Sequence, residues 1–320
     1  MLSSWKYIKT IKHLIKKLND NIFYLILWNI EIKKERKAED EGKIDCYLKQ
    51  WYLKETGIPL NIENPTTLTE KQQWIKLHGI NELITSCSDK YKVRSYVKEK
   101  IGEQYLIPII TVSNYNSFEN VEQIDFEKLP PKFVIQCNHG AHMTHVITNK
   151  SKLTYFRKKW LLYRINQEMK INYAYTHGFE FNYRNIVPRI FITDCLDTDL
   201  LCDYKFMCFN GKVEYMWVDQ NRYNHHKRTV FLNNFEKAPF QLGYEDIDLE
   251  LDIEKCKEMR NLAEILAKDF DLVRVDFYLI NKTIYFGEMT FTSSSGKRLP
   301  NPQKWNSILG EKLKISGLQK

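Results

Sequence analysis

The chain has 320 residues, of which 43% are hydrophobic and 28% charged. This length suffices for one large domain, or for two to three small ones with cores of their own. Only 12 glycines and 9 prolines, together with 13% aromatic residues, exclude collagen-like and low-complexity disordered chains. The net charge of +8 is compatible with anionic substrates such as nucleotides or an acidic polymer, but it does not indicate nucleic acid, and we expect none.

The cysteines and apolar runs indicate the compartment. Seven cysteines form no CxxC pair, so we expect reduced thiols rather than a disulfide framework or a structural zinc site. The longest apolar run, residues 22–28, is shorter than the roughly 18–20 residues of a membrane span. It is also not followed by a small-residue cleavage site. The sequence therefore predicts a soluble, cytoplasmic protein.

The first fifty residues form a basic helical N-terminal extension. Residues 4–19 place apolar side chains at helical spacing, with lysines on the other faces. Such a helix either packs on the body of the protein or lies on anionic lipid at the inner face of the membrane. The sequence leaves both open. Residues 31–43 are almost wholly polar, as in a linker or the exposed end of a helix.

From about residue 59 the pattern is that of an α+β protein. Helices are predicted to begin at Thr67 and after Ser88, and to cover residues 151–170 and 253–269. Strands are predicted over residues 107–110, 132–137, 188–193, 204–209, 213–218, 273–280 and 284–290. Asn210-Gly211 is a hairpin turn signal. Antiparallel pairs with interspersed helices indicate the α+β class.

The last two strands carry charged residues in a setting suited to burial. Arg274 and Asp276 share one face of the first strand, whose other face is apolar, and Glu288 comes late in the second strand. Two carboxylates that meet across a hairpin can hold Mg²⁺. Alternatively, Asp276 pairs with Arg274 or a lysine while Glu288 is exposed at a strand end. The two strands alone leave both interpretations open.

Strand register decides whether the two carboxylates meet. A two-residue turn at 281–282 sets Asp276 opposite Gly287 and turns Glu288 to the other face. A three-residue turn at 281–283 sets Asp276 opposite Glu288. A metal site therefore requires an odd-length turn or a bulge.

Other patterns are less specific. Residues 132–140 form an apolar strand that runs into a polar loop with a glycine, where backbone N–H groups can approach phosphates. His139, His142 and His145 follow at intervals of three without an accompanying carboxylate, which does not favour zinc. Lys205 alternates with apolar neighbours, and it either points into a phosphate site or lies at the rim of a sheet.

Further motifs bear on the class of enzyme. Asp197-Thr198-Asp199 is similar to the metal-binding DxD of glycosyltransferases, a pattern that is common by chance. Nucleophile-elbow, P-loop and dinucleotide-binding motifs do not occur in the sequence. The corresponding hydrolase, NTPase and Rossmann functions therefore lack support.

Taken together and in this order, the segments resemble the TupA-like branch of the ATP-grasp enzymes, which is named for teichuronopeptide biosynthesis. The resemblance covers about residues 55–312 and rests on residues 68–77, 89–97, 102–108, 132–140, 203–211, 273–278 and 286–292. It implies an ATP-grasp fold, in which two α+β lobes clasp ATP. We expect an N-terminal lobe over residues 51–130, a central lid lobe over 131–196 and a C-terminal lobe with the metal site over 197–320.

The resemblance also implies roles for individual residues. The expected ATP-binding positions are Lys90, Gln136, His139, Gly140, Asp194, Leu196 and Lys205. Of these, Lys90 and Lys205 meet phosphate, while Asp194 and Leu196 lie in the hinge that cradles adenine. The expected Mg²⁺ ligands are Asp276, Glu288 and Thr290, and the expected catalytic residues are Arg274 and Lys205.

The sequence departs from the family pattern at several positions. Gln136 stands where the family usually has a lysine, which removes one positive charge from the ATP phosphates. Thr290 replaces an asparagine that many ATP-grasp enzymes use as a third metal ligand. His142 and His145 stand where the branch has small residues in its glycine-rich lid.

The resemblance implies an ATP-dependent carboxylate–amine ligase that acts through an acylphosphate. It would join an amino acid or small amine to an acidic sugar of capsule or another surface polysaccharide, and the basic helix 151–170 would face the anionic glycan. Three alternatives remain: a glycosyltransferase with a metal at Asp197 and Asp199, a sugar kinase, and a non-catalytic glycan- or nucleotide-binding protein.

Overall fold

A computed structural model describes residues 24–116, 118–196, 202–220 and 226–318. The predicted helix over 4–19 and the two aspartates of the DxD motif, Asp197 and Asp199, lie outside these described residues. Within the described part of the chain, no helix has the length and apolar character needed to cross a membrane.

In the part of the chain that the structure describes, five α-helices precede the first strand. They are α1 (24–40), α2 (Ile44–Thr56), α3 (Leu68–His78), α4 (Glu82–Ser88) and α5 (Val93–Lys100). The predicted start of α3 is confirmed, because Thr67 and Glu70 form a reciprocal capping box. After Ser88 the Asp89 carboxylate accepts hydrogen bonds from the backbone N–H groups of Tyr91 and Lys92, and the regular helix begins at Val93.

A small antiparallel sheet follows, with strand order β1-β4-β2-β3. Its strands are β1 (Ile109–Asn114), β2 (Phe133–Cys137), β3 (Thr144–Ile147) and β4 (Arg189–Asp194), and the helices between them are α6 (Phe118–Glu122) and α7 (Tyr155–Met169). The predicted strand over 107–110 is wrong in its bounds, because Pro108 has no N–H to donate to a ladder. The sheet joins β1 of the predicted N-terminal lobe to three strands of the predicted lid lobe.

The C-terminal part contains a larger antiparallel sheet, with strand order β7-β6-β5-β8-β9. Its strands are β5 (Cys202–Phe209), β6 (Lys212–Gln220), β7 (Lys227–Leu232), β8 (Leu272–Ile280) and β9 (Thr283–Thr290). The predicted β5–β6 turn is confirmed, since Asn210 and Gly211 both have positive φ, 49° and 78°.

The two faces of the large sheet differ. One face packs an apolar cluster against α8 (Ile253–Ala267). At one end, the other face is apolar and packs with α3 and α9 (Lys304–Lys312). At its other end this face carries the charged residues of β5, β8 and β9. The α+β class expected from the sequence is confirmed, and the charged end of the large sheet is where the candidate site lies.

Candidate active site

A β-bulge sets Asp276 opposite Glu288. The β8–β9 turn has two residues, Asn281 and Lys282, and regular pairing extends from it to Phe277 and its partner Phe286. Gly287 is then an extra residue in β9, and pairing resumes with Asp276 opposite Glu288. The requirement for an odd-length turn or a bulge is therefore met by a bulge.

The glycine at the bulge allows a close approach of the two strands. A Cβ atom at Gly287 would lie 3.1 Å from the Asp276 carbonyl oxygen and 3.4 Å from its Cβ atom. The contact with the carbonyl oxygen is tighter than an ordinary van der Waals contact, so a larger residue would push against Asp276. Gly287 thus contributes both the change of register and the space for it.

Arg274 brings the two carboxylates together. Its Nε and Nη2 atoms donate to the two Asp276 oxygens at 2.6 and 2.8 Å, and Nη2 also donates to Glu288 Oε1 at 2.7 Å. Because one nitrogen contacts both side chains, an oxygen of Asp276 and an oxygen of Glu288 lie within a few ångströms of each other on the same face of the sheet. The predicted ion pair of Asp276 with Arg274 and the predicted meeting with Glu288 both occur.

Lys205 is inside the sheet and not at its rim. It lies in the middle strand β5 directly opposite Asp276 and is 4% exposed. Its Nζ atom contacts Asp276 Oδ2 and lies 3.2 Å from Asp203 Oδ1. Asp203, to which no role was assigned from sequence, shares this face because it is two residues from Lys205 on the same strand.

Lys90 connects the two sheets. Its backbone N–H donates to the Asn138 carbonyl at 3.0 Å, just beyond β2 of the small sheet. Its Nζ atom donates to Glu288 Oε2 of the large sheet at 3.2 Å. The site therefore draws its three cations, Lys90, Lys205 and Arg274, from three separate parts of the chain.

These cations keep the Glu288 carboxylate ionised. Burial on its own raises the pKa of Glu288, but the charges of Lys90, Arg274 and Lys205 outweigh it and hold the pKa well below its ordinary value. Burial likewise lowers the pKa of Arg274, and the carboxylates of Asp276 and Glu288 raise it above its ordinary value. Glu288 and Arg274 are therefore both charged at neutral pH.

The donor atoms fit the Mg²⁺ that ATP-grasp enzymes use. Two carboxylates and the Thr290 hydroxyl, which donates to Glu288 Oε1 at 3.2 Å, are hard oxygen donors. Among the described residues, no group of three or more His, Cys, Asp or Glu side chains could hold a metal by itself. A site with two carboxylates suits Mg²⁺, which usually shares its ligands with substrate phosphates.

The predicted adenine and lid residues lie on the small sheet. The Gln136 amide is 3.5 Å from Thr193 Oγ1, on the face of β2 opposite the buried residues that face α7. Asp194 ends β4, and its N–H donates to the Pro108 carbonyl at 3.1 Å. Leu196 follows it and is partly buried.

Two histidines of the predicted lid segment, His139 and His145, contact α7. His139 is buried with Nε2 3.2 Å from the Glu168 carbonyl, and His145 Nε2 lies 2.7 Å from Glu168 Oε2. A Cβ atom at Gly140 would lie 2.8 Å from the Tyr173 ring. Since the His139 ring points to the end of α7, a contact of this residue with a nucleotide would come from its backbone.

Ser293 completes the site. Its hydroxyl accepts a hydrogen bond from Arg274 Nη1 at 3.1 Å. It begins the short helical turn Ser293–Gly296, in which Ser294 and Ser295 adopt positive φ of 50° and 54°. A run of three serines before a glycine is the sequence signal that could have marked this turn.

Comparison with known proteins identifies the family. The sequence model of the TupA-like ATP-grasp family matches residues 70–314. No curated protein sequence matches the chain significantly.

Several solved ligases are similar in structure at low identity. D-alanine–D-alanine ligase from Helicobacter pylori has 15% identity and a TM-score of 0.42, over 80% of this chain and 73% of that one. The Bacillus anthracis enzyme complexed with ATP has 13% and 0.39, over 77% and 70%. The ATP-grasp ligase PsnB with a precursor variant, Mg and ADP has 9% and 0.36, over 73% and 56%. The assignment rests on the family match, which spans more than half of the sequence: the chain belongs to the TupA-like ATP-grasp family.

Proposed function

We propose that the protein is an ATP-dependent carboxylate–amine ligase that acts through an acylphosphate, with Mg²⁺ held by Asp276 and Glu288. The observation that carries the proposal is the bulged hairpin, which sets these two carboxylates opposite each other and beside three cations. Thr290 offers a third oxygen. Mg²⁺, when bound, neutralises charge on the phosphate oxygens.

The reaction requires two displacements. A carboxylate oxygen of the acid attacks the γ-phosphorus of ATP, and ADP leaves. The amine nitrogen then attacks the acyl carbon, phosphate leaves with the bonding pair, and the amine loses a proton. Lys90, Lys205 and Arg274 stabilise the negative charge that spreads over the transferred phosphoryl group. No covalent nucleophile on the protein is needed.

For the acid we propose a uronic acid or other acidic sugar of capsule or surface polysaccharide, and for the amine an amino acid or small amine. The surface of α7 supports a glycan. Phe156 is 82% exposed and Tyr155 68%, and Trp160 stacks on the half-exposed Tyr163. Exposed aromatic faces mark interaction surfaces, and sugar rings stack on them.

The cations of α7 are not equally available to an anionic glycan. Lys158 and Lys159 pair with Glu127 and Glu122 at 3.0 and 2.9 Å. Among the described residues, no carboxylate pairs with Arg157, whose Nη1 donates to the Lys152 carbonyl at 3.1 Å. Arg157 is therefore the cation of this surface that we assign to a glycan carboxylate.

Calorimetry of ATP binding with and without Mg²⁺ tests the site. We expect wild type to bind ATP in a Mg²⁺-dependent way, and Asp276→Asn and Glu288→Gln to bind at least about tenfold more weakly. Glu258→Gln on the exposed side of α8 is the matched control and is expected to behave as wild type. If wild type bound no ATP, the ligase and the kinase would both be excluded.

Turnover then separates the substrates. With ATP, a uronic acid and an amine, a ligase releases free phosphate, whereas a kinase acting on a sugar hydroxyl does not. Arg157→Glu is expected to lower phosphate release with a polymeric uronic acid and to leave release with the monosaccharide unchanged. If Arg157→Glu changed phosphate release with the polymeric uronic acid no more than with the monosaccharide, the proposed glycan surface on α7 would be contradicted.

A further inference from the structure

The N-terminal helix α1 is docked close to the active site, although it lies outside the residues that match the family model. Its Trp28 packs edge-on against Tyr173, at 5.8 Å between ring centroids, and its Glu35 is fully buried. We propose that Glu35 is a positioning residue: it fixes the turn at Gly178-Phe179 and thereby, through Glu180, the turn that holds Ser293 against Arg274. This role rests on the proposed function of Arg274.

The Glu35 carboxylate binds two successive backbone amides. Its oxygens accept from Gly178 N–H at 2.7 Å and from Phe179 N–H at 3.0 Å. Both residues have positive φ, 67° and 63°, and Phe179 is fully buried. A bulky residue in this region of φ is strained, and consecutive N–H groups in such a turn form an anion-binding concavity. The carboxylate of α1 therefore stabilises a conformation that Phe179 would not adopt by itself.

The next residue, Glu180, contacts the turn beyond β9. It is buried, and its carboxylate accepts from the hydroxyls of Thr292 at 2.8 Å and Ser295 at 2.5 Å. Ser295 is one of the two serines with positive φ. The position of Glu180 is set by the turn that Glu35 holds, so a shift of that turn moves both hydroxyl partners.

Helix α3 holds the same two segments from the other side. The buried Lys76 Nζ donates to the His177 carbonyl at 3.0 Å and to the Ser295 carbonyl at 3.2 Å. Gln73 Nε2 donates to the Ser295 and Gly296 carbonyls at 3.0 and 2.8 Å. The serine turn is therefore held from two sides, by α3 through its backbone carbonyls and by Glu180 through the hydroxyls of Thr292 and Ser295.

The last contact reaches the active site. Ser293 accepts from Arg274 Nη1, and Arg274 holds Asp276 and Glu288. Glu35 thus connects to the metal carboxylates by hydrogen bonds and by the short backbone segments Phe179-Glu180 and Thr292-Ser293, all of them within the described residues. The competing explanation is that α1 only packs on this part of the protein.

Glu39 is a matched control for simple packing. One helical turn beyond Glu35, its carboxylate accepts from the Tyr175 hydroxyl and from Arg184 Nη2, both at 2.6 Å. It therefore attaches α1 to the same segment of chain, but neither of these partners contacts the serine turn in any described hydrogen bond. Loss of this attachment weakens docking without breaking the path through Glu180.

Amide hydrogen exchange on the full-length chain tests the proposal. The informative amides are those of Gly178 and Phe179, and those of Ser295 and Lys297, which donate within the serine turn at 2.8 and 3.1 Å. We expect Glu35→Gln to speed exchange at both places about tenfold, and Glu39→Gln to leave the serine turn within about twofold of wild type. Thr292→Val should speed exchange only in the serine turn.

Two results would overturn the proposal. One is that Glu35→Gln speeds exchange at Gly178 and Phe179 and leaves Ser295 and Lys297 as in wild type. The other is that Glu39→Gln affects the serine turn as strongly as Glu35→Gln does, which would indicate docking alone. Should Glu35→Gln not fold, Glu35→Asp replaces it, with the same expected pattern. Exchange needs neither ATP nor acceptor, so its outcome is independent of whether the proposed reaction is correct.

Discussion

Asp276 lies opposite Glu288 in the β8–β9 ladder, and the next residue, Phe277, lies opposite Phe286, so that Gly287 has no partner across the hairpin. Two carboxylates that a regular two-residue hairpin would place on opposite faces of the sheet thereby share one face. The chemistry of the site depends on this irregularity as much as on the identity of the charged residues.

Gly287→Ala is expected to damage the site while keeping the fold. The added Cβ atom would lie 3.1 Å from the Asp276 carbonyl and 3.3 Å from the Tyr278 ring, a degree of overpacking that costs about 1–3 kcal/mol. We expect Mg²⁺-dependent ATP binding to weaken about tenfold by calorimetry. Thr283→Ala, near the turn of the same strand, is the control, and equal affinities of the two variants would refute this role of the bulge.

Lys205→Met is expected to lower the free energy of unfolding by about 3 kcal/mol, because it removes the ammonium group that contacts the buried carboxylates of Asp276 and Asp203. Urea unfolding measures the change. The double variant Asp203→Asn, Lys205→Met should recover part of the loss, since Asp276 keeps its ion pair with Arg274 and position 203 no longer carries a charge. If the double variant were as unstable as the single one, the loss would come from packing and not from charge.

Gln136→Lys is expected to tighten ATP binding five- to tenfold, about 1 kcal/mol, because it places a cation on the face of the small sheet beside Thr193. The gain should shrink at high salt, as the contact is partly solvated. Gln136→Met, which adds no charge, is the control. If Gln136→Lys bound ATP no better than Gln136→Met, the predicted contact of residue 136 with the ATP phosphates would be contradicted.

We expect two buried histidines with lowered pKa to destabilise the protein at acid pH. Burial lowers the pKa of His139 to about 4 and that of His177 to about 3, from an ordinary value of 6.5. Between pH 6.5 and 4 each of these two histidines therefore binds more protons in the unfolded chain than in the folded one, and its contribution to the free energy of unfolding falls as the pH falls. Urea unfolding at pH 7 and pH 5 measures this difference. In His139→Gln the difference should be smaller, and an unchanged difference would contradict the assignment.

Local patterns in the sequence predicted most of the elements and the charged pair. The capping box at Thr67, the Asn210-Gly211 turn and the alternation of Arg274 and Asp276 are all confirmed, because each depends on residues close in sequence. The sequence left both a bulge and an odd-length turn open, because a turn signal does not determine whether a residue later in the strand bulges out of the ladder.

Contacts between distant residues could not be predicted. Lys76 belongs to a helix whose pattern would leave a lysine in solvent, yet it is fully buried because the carbonyls of His177 and Ser295 converge on it. Lys205 remained undecided between site and rim, because the position of β5 in the middle of its sheet depends on pairing with β8, about 70 residues later. Nothing in the local sequence of Glu35 indicates that its partners are Gly178 and Phe179.

Lys90 belongs to one sheet through its backbone and to the other through its side chain. Any movement of one sheet relative to the other must therefore break one of these two contacts. The contact with Glu288 is the one that water can replace, since that side chain is one-third exposed. Separation of the sheets would leave the Lys90 ammonium group beside the small sheet and uncover Glu288, so this ion pair couples the relative position of the two sheets to the charge of the site.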